Sequence, residues 1–159
     1  MVVGAGVILT QVVIGFEPRF MLLRGRDSGV WSFPKGHPEL EDEGQTLRTA
    51  MRETFEETGF SAGNEYQIVG DSMRFGKRPY WLGVMTGFHV VNICRDEHTV
   101  GAWFTHREIG RLTTNTDVRA WHQKTACGNS SNFMRTLSLL PLPSDRLATH
   151  STSQEYIES

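Results

Sequence analysis

The chain has 159 residues, enough for one domain that buries well over half of its unfolded surface and too few for a second domain. Its 16 basic and 18 acidic residues give a formal net charge of −2, which argues against a general basic field and predicts no DNA partner. Its two cysteines, Cys94 and Cys127, exclude a disulfide framework and predict an intracellular, cytoplasmic protein.

Five runs of β-branched and aromatic residues predict strands, and three further segments predict helices. The first run, 2–9, has no basic region before it and soon meets Gln11, Glu17 and Arg19, so it predicts a strand and neither a signal peptide nor a membrane span. The strands are predicted at about 2–13, 20–25, 66–71, 79–93 and 100–105, and the helices at about 45–58, 106–112 and 116–126. Strands with interleaved helices favour an α/β fold whose sheet is covered on both faces.

The composition changes after Cys127 to Gly, Asn, Ser, Thr and Pro. Residues 133–140 could form one more short helix, whereas 142–159 is polar and predicts a mobile tail. The sequence therefore predicts one domain over 1–141 and a flexible segment over 142–159.

The helix predicted at 45–58 is the most informative element, because its two faces differ in chemistry. Gly59 occupies the position where a left-handed residue commonly ends a helix. Glu53, Glu56 and Glu57 fall within an arc of roughly 100° on such a helix. The residues expected to pack are Leu47, Ala50, Met51, Thr54, Phe55 and Thr58.

The glutamates of this helix have two interpretations. Glutamates often form a solvated helix face, and Arg52 with Glu56 would make an ordinary i,i+4 pair. Glu53 and Glu57, however, are like charges at i and i+4, and a divalent cation that prefers oxygen ligands would relieve their repulsion. The pattern therefore favours a Mg²⁺ or Mn²⁺ site that acts on phosphate.

The run from Arg52 to Phe60 reads R-E-T-F-E-E-T-G-F. It resembles the second half of the box of the Nudix hydrolases, G-x5-E-x7-R-E-U-x-E-E-x-G-U, in which U is a bulky apolar residue. Every fixed letter of that half is present, with Thr54 in place of the first U. The resemblance implies that the chain is a Nudix pyrophosphohydrolase.

The first half of the box departs from the family pattern. Gly36 lies sixteen residues before Arg52, where the family spacing is fourteen, so the loop carries two extra residues. Strict counting back from Arg52 puts Gly44 in the place of the first glutamate. Asp42 or Glu43 could fill that role from a shifted loop, and the sequence leaves both open.

Flanking motifs extend the resemblance to roughly residues 2–125. Residues 31–37 read W-S-F-P-K-G-H, similar to the W-x-x-P-K-G-H entry of Nudix enzymes that cleave dinucleoside polyphosphates, and also to the entry of decapping members. Tyr80-Trp81-Leu82, Glu97-His98 and Trp103 follow in the order of the Y-W-L, E-H and W elements of dinucleoside tetraphosphate hydrolases. The implied fold is the Nudix α/β/α sandwich, with a mixed sheet between helices.

The resemblance also assigns roles to individual residues. The implied metal ligands are the Gly36 carbonyl, Glu53, Glu56 and Glu57. Arg52 would orient the glutamates by ion pairing, and the general base would be Glu53 or, from outside the box, Glu97. The residues predicted to bind substrate are Arg24, Lys35, His37, Tyr80 and His98.

The expected activity is metal-dependent hydrolysis of a pyrophosphate linkage in a nucleoside diphosphate derivative. The preferred substrate is a dinucleoside polyphosphate such as diadenosine tetraphosphate, a small molecule, and the expected cofactor is Mg²⁺ or Mn²⁺. Alternatives on the same scaffold are an RNA 5′-cap or a diphosphoinositol polyphosphate. A catalytically inactive Nudix-fold binding module is an alternative of another class, and the altered loop is its one support.

Overall fold

The computed structural model of the protein describes residues 3–126. Its elements are β1 Ala5–Gln11, β2 Arg19–Gly25, β3 Trp31–Ser32, β4 Lys35–Gly36, α1 Thr46–Thr58, β5 Tyr66–Phe75, β6 Arg78–Met85, β7 His98–Thr105, α2 His106–Ile109 and α3 Thr116–Ala126. All five predicted strands and all three predicted helices are present. The predicted helix at 133–140 and the tail at 142–159 lie outside the described residues. Within 3–126, no helix combines the length and the apolar character needed to cross a membrane.

The largest error in the predicted elements concerns the strand at 79–93. The run after Met85 is rich in β-branched residues, but 86–97 forms a loop. This loop crosses the end of α1, where the Asn92 amide donates to the Thr58 carbonyl at 2.9 Å, and Val90 is 94% exposed. Within residues 3–126, the segment has no neighbouring strand to pair with at this position, so its β-branched residues do not form a strand.

The sheet is mixed, as predicted. β1 runs parallel to β6 and antiparallel to β2 and β4. β6 pairs antiparallel with β5, and β2 pairs antiparallel with β3 and β7. The two-residue strands β3 and β4 were not predicted, because two residues carry no periodic signal. They matter for the site, because β4 brings Gly36 beside β1 and under α1.

Helices cover both faces of the sheet, and this arrangement confirms the α/β/α sandwich. Successive strand residues point to opposite faces, so Val7 and Leu9 face one core while Ile8 faces the other. The first core includes Ala50 of α1. The second includes Trp121 of α3. Among residues 3–126, α1 is thus the one helix on its face of the sheet, with its carboxylates near β4.

The buried face of α1 differs from the predicted one. Thr54 is fully buried, and its hydroxyl donates to the Ala50 carbonyl at 2.8 Å, which explains how a polar residue occupies an apolar position of the box. Phe55 is 54% exposed, so the expectation that it packs is wrong, and Leu47 and Met51 are only half-buried. The buried residues of the helix are Thr49, Ala50, Thr54, Glu57 and Thr58. A catalytic carboxylate candidate therefore shares the core side of the helix.

The loop before α1 accommodates its two extra residues in a short turn. A 3₁₀ turn spans Leu40–Asp42, and Glu43 and Gly44 follow with φ of 52° and 71°. Leu40 is 99% exposed, whereas Asp42 is 2% exposed. The turn therefore projects one side chain into solvent and turns a carboxylate inward.

Candidate active site

β4 and α1 meet through Glu53 and Glu57, the first and last glutamates of the helix. A side chain on Gly36 would collide with the Glu53 carboxylate, so only glycine leaves room for it. The Lys35 backbone amide donates to Glu57 Oε2 at 3.1 Å. The short strand thus fixes two helical carboxylates beside the start of β1.

Glu57 is an almost completely buried carboxylate, 4% exposed. Burial, helped by the neighbouring charges of Glu53 and Glu97, raises its pKa to about 8 against the opposing hydrogen bond and charge of Lys35. Burial also raises the pKa of Glu53, again opposed mainly by a cation, here Arg52. Carboxylates crowded into a dry site without a full set of donors are the chemistry that a divalent cation stabilises.

The segment before β7 brings two more functional groups to Glu57. The Cys94 amide donates to the Glu57 carbonyl at 3.3 Å, and the amides of Glu97 and His98 donate to the Cys94 carbonyl. One ligand atom each of Glu57, Glu97 and His98 lies within 4.8 Å of the others. His98 is 6% exposed and Glu97 is exposed, so the group runs from the interior to the surface. Burial lowers the pKa of His98.

Arg52 organises the acidic residues of the loop and helix. Its Nε and Nη2 donate to the two carboxylate oxygens of Asp42, both at 3.0 Å. Its Nη1 donates to Glu53 at 3.1 Å and to Glu56 at 3.2 Å, and its Nη2 also donates to the His37 carbonyl at 2.7 Å. Arg52 therefore contacts Glu53 and Glu56, two of the glutamates that it is predicted to orient.

The structure distinguishes the two acids left open by the altered loop. Asp42 is buried, holds Arg52 with both oxygens and accepts from the Thr49 hydroxyl at 2.8 Å. The guanidinium of Arg52 holds the pKa of Asp42 well below its usual range. Glu43 is exposed and pairs with Arg48 on the surface. Asp42 is therefore the acid that faces the box arginine.

Arg26 lies near the site but is not among the predicted site residues. Its guanidinium donates through Nε and Nη2 to the carbonyl of Arg95, with the Nε bond at 2.7 Å. Its backbone amide donates to the Glu97 carbonyl at 2.8 Å. Arg26 therefore holds the turn that carries Glu97 and His98. In the sequence, Arg26 directly follows a predicted strand, and no motif marks it as a residue that positions Glu97.

Tyr80 requires a correction. It is 1% exposed, and its hydroxyl donates to Asp117 Oδ2 at 2.6 Å, beside an Arg78 contact of 3.0 Å to the same oxygen. The ring packs in the core with Phe33 and Phe75. The tyrosine joins β6 to α3 and has no exposed surface for the predicted substrate contact.

The other predicted residues are half-buried or exposed. Glu56 has a side chain that is 50% exposed and is held by Arg52. Lys35 is half-buried and His37 is exposed, both next to Gly36. Arg24 is exposed near the end of β2 and donates to the Gly29 carbonyl at 3.3 Å. The Gly36 carbonyl lies against Gly4 of the chain entering β1. Metal or substrate contacts by these groups stay predictions.

Known proteins resemble the chain over the same region. The NUDIX domain family model matches residues 4–126. The asymmetrical bis(5'-nucleosyl)-tetraphosphatase of Mus musculus is 32% identical over 115 residues, which are 66% of this chain and 76% of the mouse protein. The crystal structure of a C. elegans Ap4A hydrolase binary complex has a TM-score of 0.68 at 20% identity, and the match covers 88% of this chain and 100% of that one. A Nudix hydrolase from M. Smegmatis, RenU, has a TM-score of 0.64 at 14% identity, with 88% of each chain covered.

The family model spans β4 and α1, as well as the turn that carries Glu97 and His98. The mouse relative adds sequence identity at a level that the distant structures lack. The resemblance noted in the sequence is thereby confirmed for family, fold and class of enzyme. The chain belongs to the NUDIX family and is a Nudix pyrophosphohydrolase.

Proposed function

We propose that the protein hydrolyses a dinucleoside polyphosphate, such as diadenosine tetraphosphate, with Mg²⁺ or Mn²⁺ as its cofactor. The observation that carries the reaction type is the buried carboxylate of Glu57 beside Glu53 and Glu97. The substrate class is supported by the tetraphosphatase relatives, which are 32% identical to this chain, and by the W-S-F-P-K-G-H run before α1.

The donor set suits a hard divalent cation. Glu53 and Glu57 offer oxygens on the inner side of the site, Glu56 offers one at the rim, and Glu97 offers one from across the site. Oxygen ligands are those that Mg²⁺ and Mn²⁺ prefer. A bound cation would also offset the desolvation that raises the pKa of Glu57. We infer that Glu53, Glu56 and Glu57 hold the metal.

Each polar group then has a distinct task in the displacement at phosphorus. When bound, the divalent cations neutralise the polyphosphate and make an attacking water more acidic. Glu97, which is exposed at the mouth of the group, accepts the proton of that water at a carboxylate oxygen. Arg52 keeps the Glu53 and Glu56 carboxylates in place by its two ion pairs.

We infer that the substrate side of the site lies around β4. Lys35 contributes a positive charge that acts on Glu57 and is close enough to meet a phosphate as a point charge. His37 presents an exposed hydrogen-bonding group directly after β4. A small molecule with several phosphates matches this limited number of groups better than an extended nucleic acid does, since the formal net charge is −2.

Product analysis of a substrate panel tests the proposed substrate. The panel contains diadenosine tetraphosphate, capped RNA, a diphosphoinositol polyphosphate and a nucleotide sugar, each incubated with Mg²⁺ or Mn²⁺ and resolved by chromatography. We expect the highest kcat/KM with diadenosine tetraphosphate, yielding asymmetric products. Preferential cleavage of capped RNA or of the inositol compound would replace the substrate assignment, and turnover of none would support a binding module.

Turnover should depend completely on a divalent cation. Excess chelator is expected to lower the rate to background, and Mg²⁺ or Mn²⁺ should restore it, because the crowded carboxylates cannot stabilise a polyphosphate by themselves. Initial rates over a metal titration measure the effect. Full activity in excess chelator would contradict both the metal site and the proposed mechanism.

Removing the guanidinium of Arg26 should impair catalysis more than binding. Arg26→Met keeps the aliphatic stem but frees the Arg95 carbonyl, so the turn that carries Glu97 loses two hydrogen bonds. We expect kcat to fall by about tenfold or more while KM changes by about twofold or less, because a misplaced base costs rate before affinity.

The matched control is Arg95→Ala, which removes a cation from the same turn but leaves the carbonyl that Arg26 contacts. Arg26→Lys, with one donor group in place of the fork, should recover part of the rate. If Arg26→Met only lowers the melting temperature and leaves kcat unchanged, the residue stabilises the fold without positioning Glu97.

A further inference from the structure

His98 is a buried imidazole without a hydrogen-bond partner in the described part of the chain. It is 6% exposed, and its Nδ1 is buried with no partner among residues 3–126. Its Nε2 lies 3.9 Å from Glu57 Oε1, which is longer than a hydrogen bond. A buried polar group without a hydrogen-bond partner lowers stability by on the order of 1–3 kcal/mol. The fold therefore keeps the imidazole buried although the ring would be better solvated in water.

The ring is directed at the free oxygen of Glu57. The other carboxylate oxygen, Oε2, already accepts the Lys35 amide at 3.1 Å, whereas Oε1 faces His98. Glu97 supplies a third ligand atom, and the three atoms lie within 4.8 Å of one another. Ligands of one metal ion, each roughly 2.0–2.2 Å from it, can be separated by about 3–4.4 Å, so a small movement of the exposed Glu97 would complete a common site.

We propose that His98 ligates a divalent cation together with Glu57 and one carboxylate oxygen of Glu97, whose other oxygen remains the proton acceptor, so that the metal centre includes a nitrogen donor beside its carboxylates. This inference rests on the proposed function, because it adds a ligand to the same acidic site. Nε2 is the donor nitrogen, since it is the one that faces Glu57.

The nitrogen donor changes which cation the site prefers. Mg²⁺ favours oxygen ligands and retains its water, whereas imidazole suits transition metals. The protein should therefore bind Mn²⁺ or Co²⁺ more tightly than Mg²⁺. The ratio of the two affinities should exceed the ratio expected for a site made of carboxylates alone. The preference should depend on His98 and should be measurable without substrate.

The test is metal binding by wild type and His98→Gln in the absence of nucleotide. Free Mn²⁺ is measured by its electron paramagnetic resonance signal, and Mg²⁺ by competition. We expect His98→Gln to weaken Mn²⁺ binding by about tenfold or more and Mg²⁺ binding by about threefold or less. His89→Gln is the matched control, because His89 is an exposed imidazole of the preceding loop, packed on Phe60, and should leave both affinities unchanged.

A spectroscopic measurement on the wild-type protein covers the case in which His98→Gln does not fold. Pulsed paramagnetic resonance of the Mn²⁺-loaded wild type should show coupling to a ¹⁴N nucleus of imidazole, and His89→Gln should retain it. Absence of this coupling overturns the proposal.

The following results distinguish a failure of the His98 proposal from a failure of the proposed function. If His98→Gln keeps wild-type Mn²⁺ affinity while Glu57→Gln loses it, the acidic site stands and His98 is not a ligand. A change of KM for diadenosine tetraphosphate with unchanged metal affinity would likewise overturn the proposal and assign His98 to the substrate. If the wild type binds neither Mn²⁺ nor Mg²⁺, the proposed function itself fails.

Discussion

Glu57→Gln is expected to lower kcat/KM by several orders of magnitude and, at pH 8, to stabilise the metal-free protein. Glutamine keeps the size of the side chain, and its carbonyl oxygen can still accept a hydrogen bond from the Lys35 backbone amide. The substitution removes one negative charge from the metal site. Loss of charge where the polyphosphate reacts costs several kcal/mol of transition-state stabilisation. The same substitution removes a carboxylate whose ionised form is destabilised by burial, so the folded protein should become more stable while catalysis is lost.

The gain in stability should depend on pH in a defined direction. Burial raises the pKa of Glu57 from 4.5 to about 8. Below pH 4.5 the carboxyl is protonated in both the folded and unfolded states, and the wild type resembles the variant. As the pH rises towards 8, the unfolded chain ionises while the folded protein retains the proton, so the wild type loses stability that glutamine keeps. The difference should plateau above pH 8, at no more than on the order of 5 kcal/mol.

Chemical unfolding of chelator-treated wild type and Glu57→Gln at several pH values measures this difference. The groups that face Glu57, namely Lys35, Glu53, Glu97 and His98, are present in both proteins, so their direct titration largely cancels. Glu43→Gln is the matched control, because Glu43 is an exposed glutamate outside the buried group around Glu57. A Glu57→Gln protein with wild-type rates, or with constant relative stability from pH 5 to 8, would contradict the assigned site.

The sequence predicted the parts of the site that depend on local spacing. α1 follows from helical periodicity and from Gly59, which ends the helix with φ of 77°. Within α1, the spacing of Glu53 and Glu57 is enough to place both carboxylates on one side. Glu97 and His98 came only from the resemblance, since a residue forty positions away in sequence is brought to Glu57 by the sheet and not by spacing.

Other features depend on contacts that no local pattern records. Phe55 follows the apolar preference of its residue type, but the helix is rotated so that Glu57 faces inward and Phe55 faces solvent. Tyr80 was assigned to substrate through a motif, whereas burial and Asp117 give it a structural role. Arg26 acts through a carbonyl sixty-nine residues away, and any residue can supply a carbonyl. Sequence therefore predicts these elements better than it predicts which neighbours their side chains meet.

Asp42→Ala is expected to produce the largest loss of stability among the substitutions in the box. Asp42 is 2% exposed and makes two hydrogen bonds at 3.0 Å to Arg52. It also accepts from the Thr49 hydroxyl at 2.8 Å and from the Glu39 amide at 2.9 Å. Alanine would leave these donors without the carboxylate, and breaking one side of a buried pair costs about 3–5 kcal/mol. Because Arg52 retains Glu53 and Glu56, we expect the lower end, about 3 kcal/mol.

Denaturant unfolding and initial rates of Asp42→Ala, beside Glu43→Ala, test this assignment. Glu43 is exposed and pairs only with Arg48 on the surface among the described residues, so its alanine variant should remain within about 0.5 kcal/mol of wild type and keep its rate. Asp42→Ala should also lose at least about tenfold in kcat, since Arg52 would be free to move with Glu53. The pKa of Asp42 is held below its usual range, so its contribution is present near neutral pH and fades only as the pH falls below about 4. Equal effects of the two variants would show that the inward turn of this loop has no part in holding the catalytic arginine.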